Sequence, residues 1–163
     1  VEQTRQLAHH PPPELAGQGD MVNLLLNESQ AILSFNRAQL LLNGEEKFPR
    51  VLAALAAARH HIHLEYYIYE DDRIGNQIKD VLVAKAREGV KVRFIYDAFG
   101  SQDLSNGFLR QLRQAGVEVH PFSRIYFVFA ASRINYRNHR KVIIVDGRVG
   151  WTGGLNVSDR YIN

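Results

Sequence analysis

The sequence predicts an α/β fold with a mixed, largely parallel sheet flanked by helices. Two observations support this prediction. Segments rich in β-branched and aromatic residues alternate with helical segments of about 10–15 residues, and a Gly-Val step links helix to strand at Gly89-Val90 and again at Gly116-Val117. Repeated strand–helix–strand units favour parallel strands joined by right-handed crossovers. A length of 163 residues, 45% of them hydrophobic, suffices for one domain with its own core.

Residues 1–34 are predicted to be a linker or N-terminal arm, and residues 35–163 are predicted to be the domain. The evidence for the arm is the segment "HHPPPELAGQGD", which ends at Asp20. Its three consecutive prolines and scattered glycines are typical of connecting segments. We therefore interpret His9 and His10 as linker residues.

The first predicted elements of the domain are a hairpin and a helix. Asn43-Gly44 lies between short apolar runs, and this dipeptide is a strong signal for a tight β-hairpin turn. A helix is predicted from Phe48 to Arg59, because apolar residues recur there at helical spacing. Pro49 would occupy the first turn of that helix, which tolerates proline.

Three strands and two helices are predicted next. The segment "HIHLEYYIY", residues 61–69, is predicted to be a strand because apolar and polar positions alternate in a run of aromatic and β-branched residues. A helix follows from Ile74 and ends at Gly89, before the strand "KVRFIYDAFG". The segment "LSNGFLRQLRQAGVEVHPF" repeats the order of helix, glycine and strand.

The last predicted pair of strands, "RKVIIVDG" and "RVGWTGG", turns at the Asp146-Gly147 dipeptide. Residues two apart on a strand face the same side, so His139 and Lys141 are expected to project together. The return strand should bring Gly154 and Asn156 back to the end of the sheet where His139 and Lys141 lie. The sequence therefore predicts that an imidazole, an ammonium group and an amide converge.

This convergence suits a phosphate group. An amide and an ammonium group can bind the non-bridging oxygens, and a neutral imidazole can attack phosphorus. With an unperturbed pKa of about 6.5, a histidine acts as a nucleophile when neutral and as an acid when charged. A lone His-x-Lys on a strand is usually surface decoration, so the prediction depends on the complete pattern.

The complete pattern is His139-x-Lys141, then four residues and Asp146, then six residues and Gly153-Gly154-x-Asn156. It resembles the signature motif of the phospholipase D superfamily. The segments "IHLEYYIYEDD", "EGVKVRFIYDAFGS", "AGVEVHPF" and "NYRNHRKVIIVDG" extend the likeness, because they look like the first catalytic half of bacterial cardiolipin synthases. The resemblance covers roughly residues 35–163.

The resemblance implies a phosphatidyltransferase that moves a phosphatidyl group from one phosphatidylglycerol molecule to another through a phosphohistidine intermediate. It implies that His139 is the motif histidine and that Lys141, Asn156 and Gly154 bind the substrate phosphate. Asp146 is the motif aspartate, and its place at a turn, a strand length from His139, suggests that it holds the hairpin rather than touching substrate. No metal ion and no cofactor are implied.

In this family two motifs share one active site, with one histidine as nucleophile and the other as the acid that protonates the leaving group. The present sequence carries one motif, starts at Val1, and has no apolar stretch of the roughly 20 residues that cross a bilayer. We therefore expect a soluble piece, inactive alone, of a longer two-half enzyme that resides at the cell membrane. An acidic residue that orients the histidine is expected beyond Asn163.

Other residues have two interpretations. Glu65 and Asp97 are possible pocket residues, because each lies toward the C-terminal part of a strand, where open α/β sheets bind ligands. His61, His63 and Glu65 share one strand face and could hold zinc, although an exposed sheet surface is the commoner setting for such residues. The aromatic run at residues 126–129 is either core or an entry for acyl chains.

Three functions remain open at this point. The first is the lipid phosphatidyltransferase, the second is a phosphodiesterase or nuclease of the same superfamily that acts as a homodimer, and the third is a non-catalytic domain that binds lipid phosphate. The net charge of +3 suits an anionic substrate but lacks the strong basic excess of a nucleic-acid binder. The absence of cysteine excludes disulfides, thiolate metal sites and a cysteine nucleophile.

Overall fold

The computed structural model describes residues 17, 19–20, 24, 36–122 and 138–162. The chain divides into two compact units, Val1–Leu40 and Leu41–Asn163. In the first unit every described residue is exposed to solvent. The predicted linker, residues 1–34, lies almost wholly outside the described residues, so its boundary with the domain stays a prediction.

The second unit alternates helices and strands in the predicted order, and this confirms the α/β class. Among the described residues its elements are α1 (Gly44–Ala56), β1 (His61–Tyr66), α2 (Arg73–Arg87), β2 (Lys91–Asp97), α3 (Asn106–Gln114), β3 (Glu118–Phe122), β4 (Lys141–Val145), β5 (Val149–Thr152) and a short 3₁₀ helix (Asp159–Tyr161). None of the described helices is long and apolar enough to cross a membrane.

The five strands form one mixed sheet in the order β3-β2-β1-β4-β5. The pairs β1–β2 and β2–β3 are parallel, and α2 and α3 make the connections between them. The pairs β1–β4 and β4–β5 are antiparallel. Parallel pairing is thus confined to one half of the sheet. In the other half a tight turn joins β4 to β5, and such a turn can connect only antiparallel strands.

One face of the sheet carries the core. Alternate residues of β1 point into it, so Ile62, Leu64 and Tyr66 are buried while His61 and His63 on the other face are partly exposed. The helices contribute their apolar stripes to the same core, as helical spacing predicts. The core residues from the helices are Phe48, Val51 and Leu55 of α1, Ile74, Ile78 and Leu82 of α2, and Phe108, Leu109 and Leu112 of α3.

The predicted hairpin at Asn43-Gly44 is wrong, because this dipeptide starts a helix. Asn43 is the N-cap of α1, and its side-chain oxygen accepts a hydrogen bond from Glu46 N at 3.0 Å. The helix therefore begins four residues earlier than predicted, and Pro49 lies inside it rather than in its first turn. Gly44 is needed for close approach, since a Cβ there would lie 2.2 Å from the backbone oxygen of Tyr161.

Candidate active site

His139 and Lys141 lie in direct contact at the start of β4. Lys141 is the first residue of the strand and is 4% exposed, whereas His139 precedes the strand and is exposed. Lys141 Nζ lies 3.0 Å from His139 Nδ1 and 3.2 Å from Nε2, and it donates a hydrogen bond to the His139 backbone oxygen at 2.8 Å. Because an ammonium group only donates, the ring nitrogen that it bonds presents a lone pair.

Burial lowers the pKa of Lys141 from its ordinary value. Removing an ammonium group from water disfavours its charged form, and an anionic ligand would restore that balance. The lysine is therefore placed where a neighbouring anion would stabilise its charged form.

The Tyr67 ring packs against both His139 and Lys141. Its ring centroid lies 4.5 Å from that of His139, and Lys141 Nζ lies 5.1 Å from the Tyr67 centroid. No sequence motif indicates a role for this tyrosine. Tyr67 follows directly on the last residue of β1, Tyr66, which pairs with Lys141 in the sheet. This position at the C-terminal end of a predicted strand is the feature of the sequence that could have indicated Tyr67.

Asn156 is buried beside the segment that carries Tyr67. Its Oδ1 accepts a hydrogen bond from Ile68 N at 3.2 Å, and its Nδ2 donates to the Tyr161 hydroxyl at 2.8 Å. The sheet returns this part of the chain to the same end as Lys141, because Thr152 of β5 pairs with the next residue of β4. The structure thus joins His139 directly to Lys141, and it joins Asn156 to the residue that follows Tyr67.

Gly154 is exposed, and a Cβ built on it would meet no atom within 4 Å. The position is open to a ligand, but nothing in its surroundings tests the predicted phosphate contact. Leu155, the next residue, is held by Lys47, whose Nζ donates to the Leu155 backbone oxygen at 2.9 Å.

Lys47 is a second buried lysine, on α1. Its side chain is 7% exposed and its Nζ lies 5.1 Å and 5.3 Å from the ring centroids of Phe48 and Tyr66. Burial lowers the pKa of Lys47 to about 8. No local pattern marks this lysine, because the partner that explains its burial lies 108 residues away.

Asp146 lies at the opposite end of β4 from Lys141 and binds backbone rather than side chains. Its Oδ1 accepts from His60 N at 2.8 Å and from His61 N at 2.9 Å, and its Oδ2 accepts from Arg59 N at 2.9 Å. The backbone hydrogen bonds, led by that from His61, lower the pKa of Asp146 to about 2. These contacts hold the β4–β5 turn against the start of β1.

Glu65 and Asp97 both bind Asn138, the residue before His139. Asp97 is 1% exposed, and its Oδ2 accepts from Asn138 N at 3.0 Å. Glu65 Oε1 accepts a short hydrogen bond from Asn138 Nδ2 and lies 3.9 Å from Arg140 Nη1. Neither carboxylate makes a hydrogen bond to the imidazole of His139 within the described residues, so their closeness to the site is through Asn138.

The histidines of β1 have other partners than a metal ion. The His61 and His63 rings lie 4.9 Å apart, and His63 Nε2 lies 3.2 Å from Arg93 Nη1. Burial, with smaller contributions from His61 and Arg93, lowers the pKa of His63. In the part of the chain that the structure describes, no group of three or more His, Asp or Glu side chains could hold a metal ion. The aromatic run at residues 126–129 lies outside the described residues.

Comparison with known proteins gives a family match over most of the chain. Residues 51–163 match the family described as "Cardiolipin synthase, PLD-like domain". The cardiolipin synthase of Geobacillus kaustophilus is 54% identical over 127 residues, which are 78% of this chain and 25% of that protein. The cardiolipin synthase of Alkalihalophilus pseudofirmus is 45% identical over 99% of this chain and 33% of that protein. The chain thus spans about a quarter to a third of the length of these relatives.

Two solved structures share the fold. The phospholipase D family member Nuc from Salmonella typhimurium is 23% identical, with a TM-score of 0.52 over 69% of this chain and 66% of that chain. NucT from Helicobacter pylori is 20% identical, with a TM-score of 0.53 over 69% of this chain and 68% of that chain. At these identities the likeness extends to the fold alone.

Proposed function

The chain belongs to the phospholipase D-like domain family of cardiolipin synthases, and from that premise we propose that the whole protein is a phosphatidyltransferase acting through His139. The observation that carries the proposal is the exposed imidazole of His139, which contacts both the Lys141 ammonium group, at 3.0 Å, and the Tyr67 ring, at 4.5 Å between centroids. The substrate is a phospholipid with a free hydroxyl in its head group, phosphatidylglycerol, and the product is cardiolipin.

The reaction proceeds in two displacements at phosphorus. In the first, a ring nitrogen of His139 forms a P–N bond while the P–O bond to glycerol breaks, and the glycerol oxygen takes a proton from an acid supplied by a second motif. In the second, the hydroxyl oxygen of another phosphatidylglycerol attacks phosphorus and gives its proton to the same group. The P–N bond then breaks and His139 is regenerated.

Lys141 supplies charge stabilisation in both steps. Its bond to the His139 backbone oxygen at 2.8 Å leaves two ammonium hydrogens, one of which can turn from the ring nitrogen to a phosphate oxygen. Donation of that hydrogen to phosphate also releases the ring lone pair for attack. The Asn156 side-chain nitrogen has a second hydrogen beside the one that Tyr161 accepts, and this hydrogen is available to another phosphate oxygen.

The proton donor must come from outside this half-site. His139 cannot serve as nucleophile and as acid in the same step, so we assign the acid to a second motif in the same protein, with a homodimer as the alternative source. The chain covers 33% or less of the relatives described above, which leaves ample length for a second half. Because the substrate is a membrane lipid, the whole protein acts at the cell membrane.

The test is the substitution His139→Asn in the full-length protein, assayed in vesicles of phosphatidylglycerol for cardiolipin and released glycerol. Loss of the nucleophile should lower turnover by at least about 10³-fold. The wild-type protein, quenched during turnover, should carry phosphate on the peptide that contains His139. The matched control is His63→Asn, which changes a partly exposed histidine on β1 and should leave turnover near that of the wild type.

Retention of transfer by His139→Asn with an unchanged circular dichroism spectrum would contradict the proposal. Hydrolysis of a generic phosphodiester or of nucleic acid, without any transfer to phosphatidylglycerol, would replace it with the phosphodiesterase alternative. Binding of lipid phosphate without either reaction would favour the non-catalytic alternative.

We propose further that the reaction needs no divalent metal ion. Lys141, Asn156 and backbone donors supply the charge stabilisation that a cation gives to other phosphoryl-transfer enzymes. Exhaustive treatment of the full-length protein with a chelator should leave its turnover within about twofold of the untreated rate. If chelation stopped turnover and added zinc restored it, His61, His63 and Glu65 would be the first residues to substitute.

A further inference from the structure

We propose that the segment from Asp97 to Ser101, together with Glu65, is a positioning device that fixes the imidazole of His139 for attack. The proposal rests on the proposed function, because it assigns residues that serve the same histidine. Neither carboxylate contacts the ring, so both act through neighbouring residues, and the device has two arms that meet at His139.

The first arm fixes the backbone before His139. Asn138 is 7% exposed, and two carboxylates bind it: Asp97 accepts its backbone N–H at 3.0 Å and Glu65 accepts its side-chain amide. The Asn138 side-chain oxygen in turn accepts from Arg140 N at 3.3 Å, so it bridges His139. Asn138 is therefore held at its backbone and at both ends of its side-chain amide.

This restraint matters because His139 lies outside the sheet ladder. The pairing of β4 with β1 begins at Lys141 and Tyr66, so no strand partner among the described residues fixes the backbone of His139. Because the His139 side chain is exposed, neighbouring side chains cover only part of it. The bonds to Asn138 replace the constraint that a strand position would have given.

The second arm fixes the ring on which the imidazole lies. Ser101 is 4% exposed, and its hydroxyl donates to the Tyr67 backbone oxygen at 3.0 Å and accepts from Tyr69 N at 3.0 Å. Gly100 packs on the same peptide so closely that a Cβ there would lie 2.3 Å from the Tyr67 backbone oxygen. The Tyr67 ring, held through its backbone, then lies 4.5 Å from the ring of His139.

Asp97 links the two arms. Its Oδ1 accepts from Phe99 N at 3.0 Å and Gly100 N at 2.9 Å, which shapes the turn that carries Gly100 and Ser101. Its Oδ2 accepts from Asn138 N. A single buried carboxylate thus sets both the turn beneath Tyr67 and the backbone of Asn138, and a shift of Asp97 would move the imidazole relative to both.

The substitution Asp97→Asn separates these tasks. The amide oxygen can keep the two bonds of the turn, but the amide nitrogen then faces Asn138 N, so a donor meets a donor. We expect kcat of the full-length protein to fall about 10–100-fold, because misplacing a reacting group by about 1 Å costs rates of this order. KM should change less than about threefold, since the groups assigned to phosphate binding are untouched.

Glu65 provides the matched pair. Glu65→Gln keeps an oxygen that accepts from the Asn138 amide, whereas the similarly sized Glu65→Met removes it. We expect Glu65→Met to lower kcat about tenfold and Glu65→Gln to recover most of that loss. Glu118→Gln is the control for a carboxylate on the sheet, because Glu118 is exposed on β3 and binds Arg93.

A second measurement reports the position of the imidazole without any turnover. In the full-length protein labelled with isotope-enriched histidine, the Tyr67 ring current should shift the His139 ring signals, which the His139→Asn variant identifies by their loss. Asp97→Asn and Glu65→Met should move these signals toward the values of a histidine that has no neighbouring aromatic ring, while thermal unfolding remains cooperative. This readout is independent of the lipid reaction, so the positioning device can be tested even if the proposed function fails.

Equal kcat for wild type and Asp97→Asn, or His139 signals that do not move, would overturn the proposal. A fall in kcat that Glu65→Gln shares with Glu65→Met would also overturn it, because the hydrogen bond to Asn138 would then not be the cause. Absence of phosphatidyl transfer in the wild type, with shifted His139 signals in the variants, would instead reject the function and retain the device.

Discussion

At the scale of one residue, Lys47 is a buried charge that holds the backbone next to a residue of the candidate site. The lysine is almost fully buried, yet it keeps its hydrogen bond to the Leu155 backbone oxygen, next to Asn156. Its low pKa is the consequence of burial, because leaving water disfavours the ammonium form. The Leu155 oxygen and the faces of Phe48 and Tyr66 offset part of that cost.

This cost predicts the pH dependence of stability. The pKa of Lys47 is about 8 in the folded chain against an ordinary value of 10.5, so the unfolded chain binds more protons between these pH values. The free energy of unfolding should therefore rise with pH in that window, by up to about 3 kcal/mol from this residue. Lys47→Met should lack this rise.

The measurement is urea unfolding of the wild type and of Lys47→Met at neutral pH, near pH 8 and near pH 10.5. We expect the free energy of unfolding of the wild type to rise relative to that of Lys47→Met as pH rises. Lys91→Met, at an exposed lysine of β2, is the control. If the difference in free energy of unfolding between the two proteins stayed constant across this pH series, the lowered pKa of Lys47 would be contradicted.

At the scale of elements, short polar contacts join parts of the chain that are far apart in sequence. Asp72 accepts from Gly75 N at 2.9 Å and so caps α2, and its other oxygen accepts from Asp159 N. Asp159 accepts from Arg73 N at 3.2 Å and from Ile74 N at 3.1 Å in the same helix turn. The segment that follows Asn156 is thereby fastened to the start of α2.

The β4–β5 hairpin is fastened in the same way through Asp146. This residue has a φ of 53°, a conformation that asparagine also tolerates, so Asp146→Asn changes the contacts more than the backbone. The amide can accept from fewer of the three backbone N–H groups of residues 59–61 than the carboxylate does. We expect a lower unfolding temperature at neutral pH.

The difference in unfolding temperature between the wild type and Asp146→Asn should become smaller as pH falls. The pKa of Asp146 is about 2 in the fold against an ordinary 3.8, so its stabilising contribution is complete above about pH 4 and disappears as pH falls through 2. Thermal unfolding of wild type and Asp146→Asn from pH 7 to pH 2 should therefore converge at the acid end. Asp103→Asn, at an exposed carboxylate, serves as the control, and curves that stay parallel to pH 2 would contradict the assignment.

At the scale of the whole molecule, the mixed sheet brings the residues of the candidate site to one edge. The C-terminal ends of the parallel strands β1 and β2 carry Tyr67 and Asp97. The antiparallel strand β4 starts at this edge with Lys141, because it runs opposite to β1. The entry of β4 beside β1 thus places Asn138, the residue before the motif histidine, against Glu65 of β1 and Asp97 of β2.

The 163-residue chain on its own is expected to fold but not to turn over. Folding is expected because one core joins all three described helices to the sheet. Turnover is not expected, because protonation of the leaving group typically contributes about 10²–10⁴-fold, or roughly 3–5 kcal/mol, and His139 cannot provide it while acting as nucleophile.

This prediction is checked by incubating the purified chain with phosphatidylglycerol and with a generic phosphodiester over a series of protein concentrations. The expected result is no released alcohol above the rate of the His139→Asn variant. Activity that rises with the square of concentration and disappears in that variant would show instead that two copies build the site.

The sequence by itself determined the local elements and the identity of the motif. The helices α2 and α3, the strands and the turn at Asp146-Gly147 follow from spacings of two to four residues, which report contacts within one element. The same two-residue spacing predicts the contact of His139 with Lys141, and the structure shows this contact although His139 lies just before β4 rather than in it.

The tertiary structure decided which distant residues serve that motif. Asn43-Gly44 carries a hairpin pattern but starts a helix, because the Asn43 side-chain oxygen accepts from Glu46 N and Gly44 lies against Tyr161. The joining of Asp97 to Asn138 and of Lys47 to Leu155 spans 41 and 108 residues. Such contacts leave no periodic trace in the sequence, because they arise only when the strand order β3-β2-β1-β4-β5 brings the ends of separate strands to one edge.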